Sequence, residues 1–241
     1  MLKSIITYKG IKDYIPILFI IVLITCCMLY LHFNDSYILV TGVNLRIKKS
    51  RIYPLQKYNF YDLQLYGPHD MSIIYDMYGK DVLTHGMRKY SKNKQLFKLT
   101  NFEPARLTDN HICSQDTKRC EFWEEDNGTG NGGATYMTPP CCASHLYELL
   151  KFTTDLFHKN NIEYIILFGT LLGSIRHNGI IPWDTDIDIG VYDESFKSIM
   201  DLKDKFNDKS YNIVDEGNVI GIYYSKVNLL HIDIYKLINV S

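Results

Sequence analysis

Residues 168–192 read FGTLLGSIRHNGIIPWDTDIDIGVY, and the last third of that stretch decides the fold. Asp184, Asp186 and Asp188 stand at alternate positions, with Thr185, Ile187 and Ile189 between and after them. In an extended strand successive side chains point to opposite faces, so this spacing predicts three carboxylates on one face and Ile187 and Ile189 turned into a core. Like charges two residues apart on a strand repel by roughly 2–3 kcal/mol per neighbouring pair at an effective dielectric near ~20. A cation relieves that repulsion, and hard carboxylate oxygens suit Mg²⁺ or Mn²⁺.

The flanking sequence builds around that strand. Ile162–Phe168 is short, apolar and rich in β-branched residues, the pattern of a buried strand. It runs into Gly169 and Thr170, and Leu171–His177 then reads as a short helix. A strand–glycine–helix junction leaves backbone N–H groups open to an anion such as a phosphate. Asn178-Gly179 marks a turn before Pro182-Trp183 and the aspartate strand. Further on, Val219–Ser225 and Leu229–Leu237 flank Lys226-Val227-Asn228 and predict an antiparallel hairpin. Its second strand puts His231, Asp233 and Tyr235 on one face and Leu230, Ile232 and Ile234 on the other. Upstream, Pro139-Pro140 opens an amphipathic helix over Ala143–Asn160, with Leu146, Leu149, Leu150, Thr153, Leu156 and Phe157 on its apolar face and His145 and His158 toward solvent.

Six cysteines divide into two groups. Cys26 and Cys27 lie in an N-terminal apolar run, and Cys113, Cys120, Cys141 and Cys142 remain. The latter four can form two disulfides or hold Zn²⁺ as four thiolates, and spacing alone leaves both open. Between them, Glu121–Pro140 carries Gly128, Gly130, Gly132 and Gly133, a stretch too glycine-rich to order itself.

The string GTLLGSIRHNGIIPWDTDIDIGV resembles the LicD family, and a glycine with a small hydroxyl residue, a short helix and D-x-D resembles the nucleotidyltransferase fold more widely. The likeness spans about Ile112–Leu237 and leans toward Golgi ribitol-phosphate transferases of that family. It implies an α/β catalytic domain, a nucleotidyltransferase-like mixed sheet with flanking helices. It also implies a phosphotransferase with a CDP-activated donor, moving a phospho-alditol (ribitol 5-phosphate from CDP-ribitol) onto a glycoprotein O-glycan. Phosphocholine transfer is the alternative within the family, and a catalytically incomplete partner-binding membrane protein the alternative outside it. By the same resemblance Asp186 and Asp188 hold Mg²⁺, Asp184 orients the site or acts as base, and Asp233, in an HxD element, completes the cluster. Gly169 and Thr170 then meet the diphosphate through backbone N–H groups, with Arg176 adding charge. It also tips Cys113, Cys120, Cys141 and Cys142 toward a structural Zn²⁺ in a loop over 113–142.

Residues Tyr14–Phe33 are uncharged and mostly aliphatic, long enough for a helix to cross a ~30 Å hydrocarbon core. Lys3, Lys9 and Lys12 precede the run, so a cytosolic tail over 1–13, a retained signal anchor over 14–33 and a lumenal remainder are expected, the type II arrangement of a Golgi (or ER) membrane protein. Residues 34–112 form a tyrosine-rich stem, read as a small β-rich domain or as extra strands, and its basic patch Arg88–Lys98 as a solvated face. The catalytic domain covers 113–241. It ends eight residues after Asp233, where LicD-type domains continue with helices, so a C-terminally shortened domain is expected. Sequons stand at Asn34, Asn127 and Asn239, and Asn127 is the best placed for glycosylation. A net charge of −1 and a pI near 6.7 argue against a nucleic-acid partner. Expected partners are the donor, the glycan acceptor, the membrane and a second copy or related transferase.

Overall fold

The computed structural model describes residues 19–25, 36–90, 93–108, 114, 138–228 and 230–240. It is a mixed α/β structure built on one seven-stranded sheet. At its centre β8 (Asp186–Tyr192) and β11 (His231–Val240) run parallel, with His231 opposite Asp186 and Asp233 opposite Asp188. The outer edge of β8 pairs antiparallel with β7 (Tyr164–Ile166). The other edge of β11 is shared by two strands. Its first half pairs with β10 (Val219–Tyr223), which pairs with β9 (Asn212–Asp215). Its second half pairs with β1 (Tyr37–Val40), which pairs with β2 (Leu45–Lys48). Of the two sequence alternatives for the stem, extra strands is therefore the one seen at its start.

Strand alternation divides the apolar residues between two clusters. Ile187, Ile189, Val191, Ile232 and Ile234 pack with Leu146, Leu149, Leu150 and Phe157 of α4 (Pro140–Lys159). Each of those α4 side chains is completely buried, worth about 1.5–3 kcal/mol apiece in removed apolar surface. Replacing Phe157 by Ala would cost about 3–5 kcal/mol. On the other face Leu237, Ile165 and Leu167 pack with Ile38 and Val40 of β1, beside the strand positions that carry the carboxylates. Helix α4 starts at Pro140, a residue tolerated in a first turn because no N–H is needed there.

The remaining elements frame the sheet. α2 (Lys49–Ile52) leads to the hairpin β3 (Gln56–Phe60) and β4 (Leu63–Gly67). α3 (Ile73–Tyr78) precedes the hairpin β5 (His85–Tyr90) and β6 (Asn93–Lys98). α5 (Phe168–His177) links β7 to the aspartate segment, and α6 (Asp193–Asp201) with α7 (Lys203–Asn207) links β8 to β9. Asp193 and Glu194 sit in the first turn of α6, where the helix dipole favours negative charge.

Several expectations are adjusted. His145 is buried rather than solvent-facing: its ring stacks on Tyr224 at 4.2 Å, and Nδ1 lies 3.3 Å from Asn228 Nδ2. His158 is exposed, as expected. The strand read over Ile162–Phe168 narrows to Tyr164–Ile166, because Phe168 already begins α5. Cys141 and Cys142 are both disulfide-bonded, and a disulfide sulfur has no thiolate lone pair to offer, so neither is a zinc ligand here. Cys113, Cys120, Asn127 and most of the glycine-rich loop lie outside the described residues. So does most of the Tyr14–Phe33 run. Its described part, α1 (residues 19–25), is helical with exposed apolar side chains. Among the described residues no helix is long and apolar enough to cross a membrane.

Candidate active site

Parallel pairing of β8 with β11 does what the sequence of neither strand does alone. Asp186, Asp188, His231, Asp233 and Tyr235 share one face by parity, and the register sets the two triplets side by side. Ligand atoms of Asp186, His231 and Asp233 all lie within 4.8 Å of one another. His231 Nε2 stands 3.7 Å from Asp233 Oδ1. The resemblance grouped Asp186 with Asp188; the structure brings Asp186 to Asp233 and His231. Two carboxylates and an imidazole form a donor set that fits Mg²⁺ or Mn²⁺, the nitrogen leaning toward Mn²⁺.

Asp188 is held from two sides and is only 6% exposed. Gly169 N–H donates to its Oδ2 at 2.9 Å, and its own N–H donates to Thr170 Oγ1 at 2.7 Å. The strand–glycine–helix junction thus presents a backbone N–H to an anion, and that anion is the protein's own carboxylate. A Cβ on Gly169 would stand 2.8 Å from Asp184 Oδ2 and 3.3 Å from Asp188 Oδ2, so only glycine fits between them. Phe168 adopts φ 40° at the first position of α5, an uncommon left-handed conformation for a bulky residue. Its ring packs edge-on against Tyr235 at 5.1 Å.

Asp184 does not belong to the strand. Its N–H donates to Ile181 O at 2.8 Å in the turn before β8, and its carbonyl accepts from Thr138 Oγ1 at 2.8 Å. The turn still aims its carboxylate at the same cluster. Burial first, then the Asp186 charge, pushes the carboxyls of Asp184 and Asp188 well above the ordinary carboxylate range. Asp233 adds to the effect at Asp188. A cation beside them would reverse it.

These carboxylates floor a cavity of about 400 Å³. Phe168, Gly169, Leu172, Arg176 and Trp183 form one side, and Tyr78, Val82, His85, Gly86 and Leu96 the other. The second side comes wholly from the stem, which carries no motif. Tyr78 and Tyr235 are pushed upward by burial and then by Asp188 and its neighbours, so both phenols stay protonated and able to donate. Tyr235 OH lies 3.5 Å from Asp233 Oδ2. Tyr235 was visible in the sequence through its parity with Asp233; Tyr78 had no such signal.

Comparison with known proteins agrees with the motif. The sequence profile described as LicD/FKTN/FKRP, nucleotidyltransferase domain, matches residues 161–241. The human ribitol 5-phosphate transferase FKRP is 30% identical over 148 residues, 57% of this chain and 29% of that protein. The lipopolysaccharide cholinephosphotransferase LicD of Haemophilus influenzae is 33% identical over 76 residues, 32% of this chain and 29% of that protein. An uncharacterized protein of Rickettsia prowazekii is 45% identical over 71 residues, 30% of this chain and 27% of that protein. The chain therefore spans less than a third of the length of each of these relatives. Over residues 161–241 the chain is thus similar to LicD/FKTN/FKRP nucleotidyltransferase domains.

Proposed function

We propose that this chain is a phosphotransferase that moves ribitol 5-phosphate from a CDP-activated donor onto a glycan hydroxyl of a glycoprotein. The observation that carries the reading is the floor of Asp184, Asp186 and Asp188 in the 400 Å³ cavity, beside the Asp186–His231–Asp233 group that the β8–β11 register brings together. The match to ribitol 5-phosphate transferase FKRP supports the group transferred. A divalent cation held by Asp186, Asp233 and His231 would neutralise the donor diphosphate as CMP departs. The acceptor oxygen attacks the phosphorus bearing the ribitol, the new P–O bond forms as the bond to CMP breaks, and the hydroxyl proton passes to Asp184. With that cation beside it Asp184 would be ionised, and so able to accept the proton. Asp188, held by the Gly169 N–H, completes the carboxylate floor.

The setting proposed is the Golgi lumen, with residues 14–33 as signal anchor. Disulfides at Cys141 and Cys142 support an oxidising compartment. A second reading, phosphocholine transfer, is favoured by the aromatic walls Tyr78, Phe168, Trp183 and Tyr235, which suit a quaternary ammonium group. The test is CMP release by the purified protein with CDP-ribitol, CDP-glycerol and CDP-choline side by side in Mg²⁺ or Mn²⁺. Release from CDP-ribitol, abolished by EDTA and by Asp233→Asn, is expected. Faster release from CDP-choline selects the second reading, and release from none of the three overturns both.

A further inference from the structure

Arg176 entered as a cation for the diphosphate, but its guanidinium is engaged elsewhere. Nη1 donates to Val82 O at 2.7 Å and to His85 O at 3.1 Å. Nε donates to His177 Nε2 at 2.9 Å. The cation also lies 5.7 Å from the Trp183 ring centroid. Arg176 is only 9% exposed, in keeping with a side chain spent inside the protein.

The partners it reaches are wall residues of the cavity. Val82, His85 and Gly86 line the side contributed by the stem, and Trp183 lines the opposite side, next to Asp184. The two sides meet again where Phe97 of β6 packs edge-on against Trp183 at 5.9 Å. His177 packs edge-on against Trp183 from beneath at 6.0 Å. Arg176 is the one charged side chain among the described residues that hydrogen-bonds to the 82–85 turn from α5.

We propose that Arg176 is a positioning residue that latches the 82–86 wall onto α5 and so sets the shape of the donor pocket. The inference rests on the proposed donor site, and the latch itself does not depend on what the pocket holds. A planar fork donating from two of its nitrogens to three acceptors has no equivalent in lysine, whose single ammonium ends a flexible stem. A charge acting directly on a phosphate would, by contrast, be largely kept by lysine.

Arg176→Lys and Arg176→Met should be compared with wild type by amide hydrogen exchange, by CDP titration in Mg²⁺, and by kinetics with the accepted donor. The latch predicts that both variants bind CDP roughly tenfold more weakly and raise KM to match, with kcat within about threefold. Exchange at residues 82–86 should quicken about tenfold or more in both, while that of β8 and β11 stays as in wild type. Unchanged exchange at 82–86 in Arg176→Lys overturns the proposal. So does CDP binding kept by lysine and lost only in methionine, which would make Arg176 a direct phosphate contact. A wild type that binds no CDP at all refutes the donor-site reading, and the exchange data then still decide the latch.

Discussion

Asp186→Asn should make the metal-free protein more stable. Asp186 and Asp233 bring ligand oxygens within 4.8 Å of each other, and two unit charges at that distance repel by about 3.5 kcal/mol at an effective dielectric near ~20. Both are half-buried, so solvent and salt reduce the figure to about 1–2 kcal/mol. Asp186 is also the charge that acts most strongly on Asp184 and Asp188. Removing it relieves those carboxyls too, bringing the total to about 1–3 kcal/mol. For a chain of this size each kcal/mol shifts Tm by about 2–4 °C, so a rise of about 3–10 °C is expected in EDTA near pH 8. Saturating Mn²⁺ works the other way. A site filled at a hundred times its Kd stabilises the wild type by about 2.7 kcal/mol, and the variant, lacking a ligand, gains far less. Calorimetry should thus put the variant ahead in EDTA and show that lead cut or reversed in Mn²⁺. A variant less stable than wild type in EDTA, or an equal gain from Mn²⁺ in both, refutes the carboxylate argument.

Three further outcomes follow from the same geometry. Gly169→Ala places a Cβ 2.8 Å from Asp184 Oδ2; the shifted carboxylates should cost about 1–3 kcal/mol of stability and on the order of a hundredfold in turnover, measured by thermal melts and CMP release. His177, 1% exposed, is pushed down to about 4 by burial and then by the Arg176 charge. Its neutral ring therefore contributes stability that is present above the ordinary histidine value near 6.5 and is lost as pH falls toward 4, about 3 kcal/mol in all. Chemical denaturation across that window should show the loss in wild type and a flatter profile in His177→Phe. Alkylation of the unfolded protein before reduction should leave Cys141 and Cys142 unlabelled, and reduction should lower Tm, since losing a native disulfide costs about 2–5 kcal/mol; labelling of both as free thiols would restore the zinc reading.

What could be read in advance was what periodicity encodes. Alternation announced the faces of β8 and β11, and their apolar halves are buried as it required. The β10–β11 hairpin and helix α4 were visible for the same reason. The pairing of β8 with β11 was not visible, because register between distant strands leaves no trace in either one. That register decides which carboxylates meet, and it drew His231 into the cluster. Asp184 reads as a strand residue by spacing, yet the Ile181–Asp184 turn reaches the same face by another route. The stem was illegible as a pocket wall because Tyr78, Val82 and His85 contact the site through single side chains and a turn, with no repeated spacing. His145 was misplaced because helical phase locates the centre of an apolar face better than its margins, and Tyr224 covers that margin.

The pairing of β1 with β11 joins residues roughly 200 positions apart, Tyr37 with Val240. A ribosome adds roughly 5–20 residues per second, so β1 emerges about 10–40 s before its partner exists. Through that interval Ile38, Val40 and Ile47, buried in the finished sheet, have the β2 ribbon, Ile52 and Ile73 to pack against but not Leu237 of β11. A two-stranded ribbon is marginal on its own and exposes a strand edge. Closure of the sheet is thus a late, long-loop event, slow by topology, and the same event finishes the strand that carries Asp233. Completion of the carboxylate cluster and burial of the earliest strand arrive together, so a nascent chain presents an aggregation-prone edge for as long as that cluster is unformed.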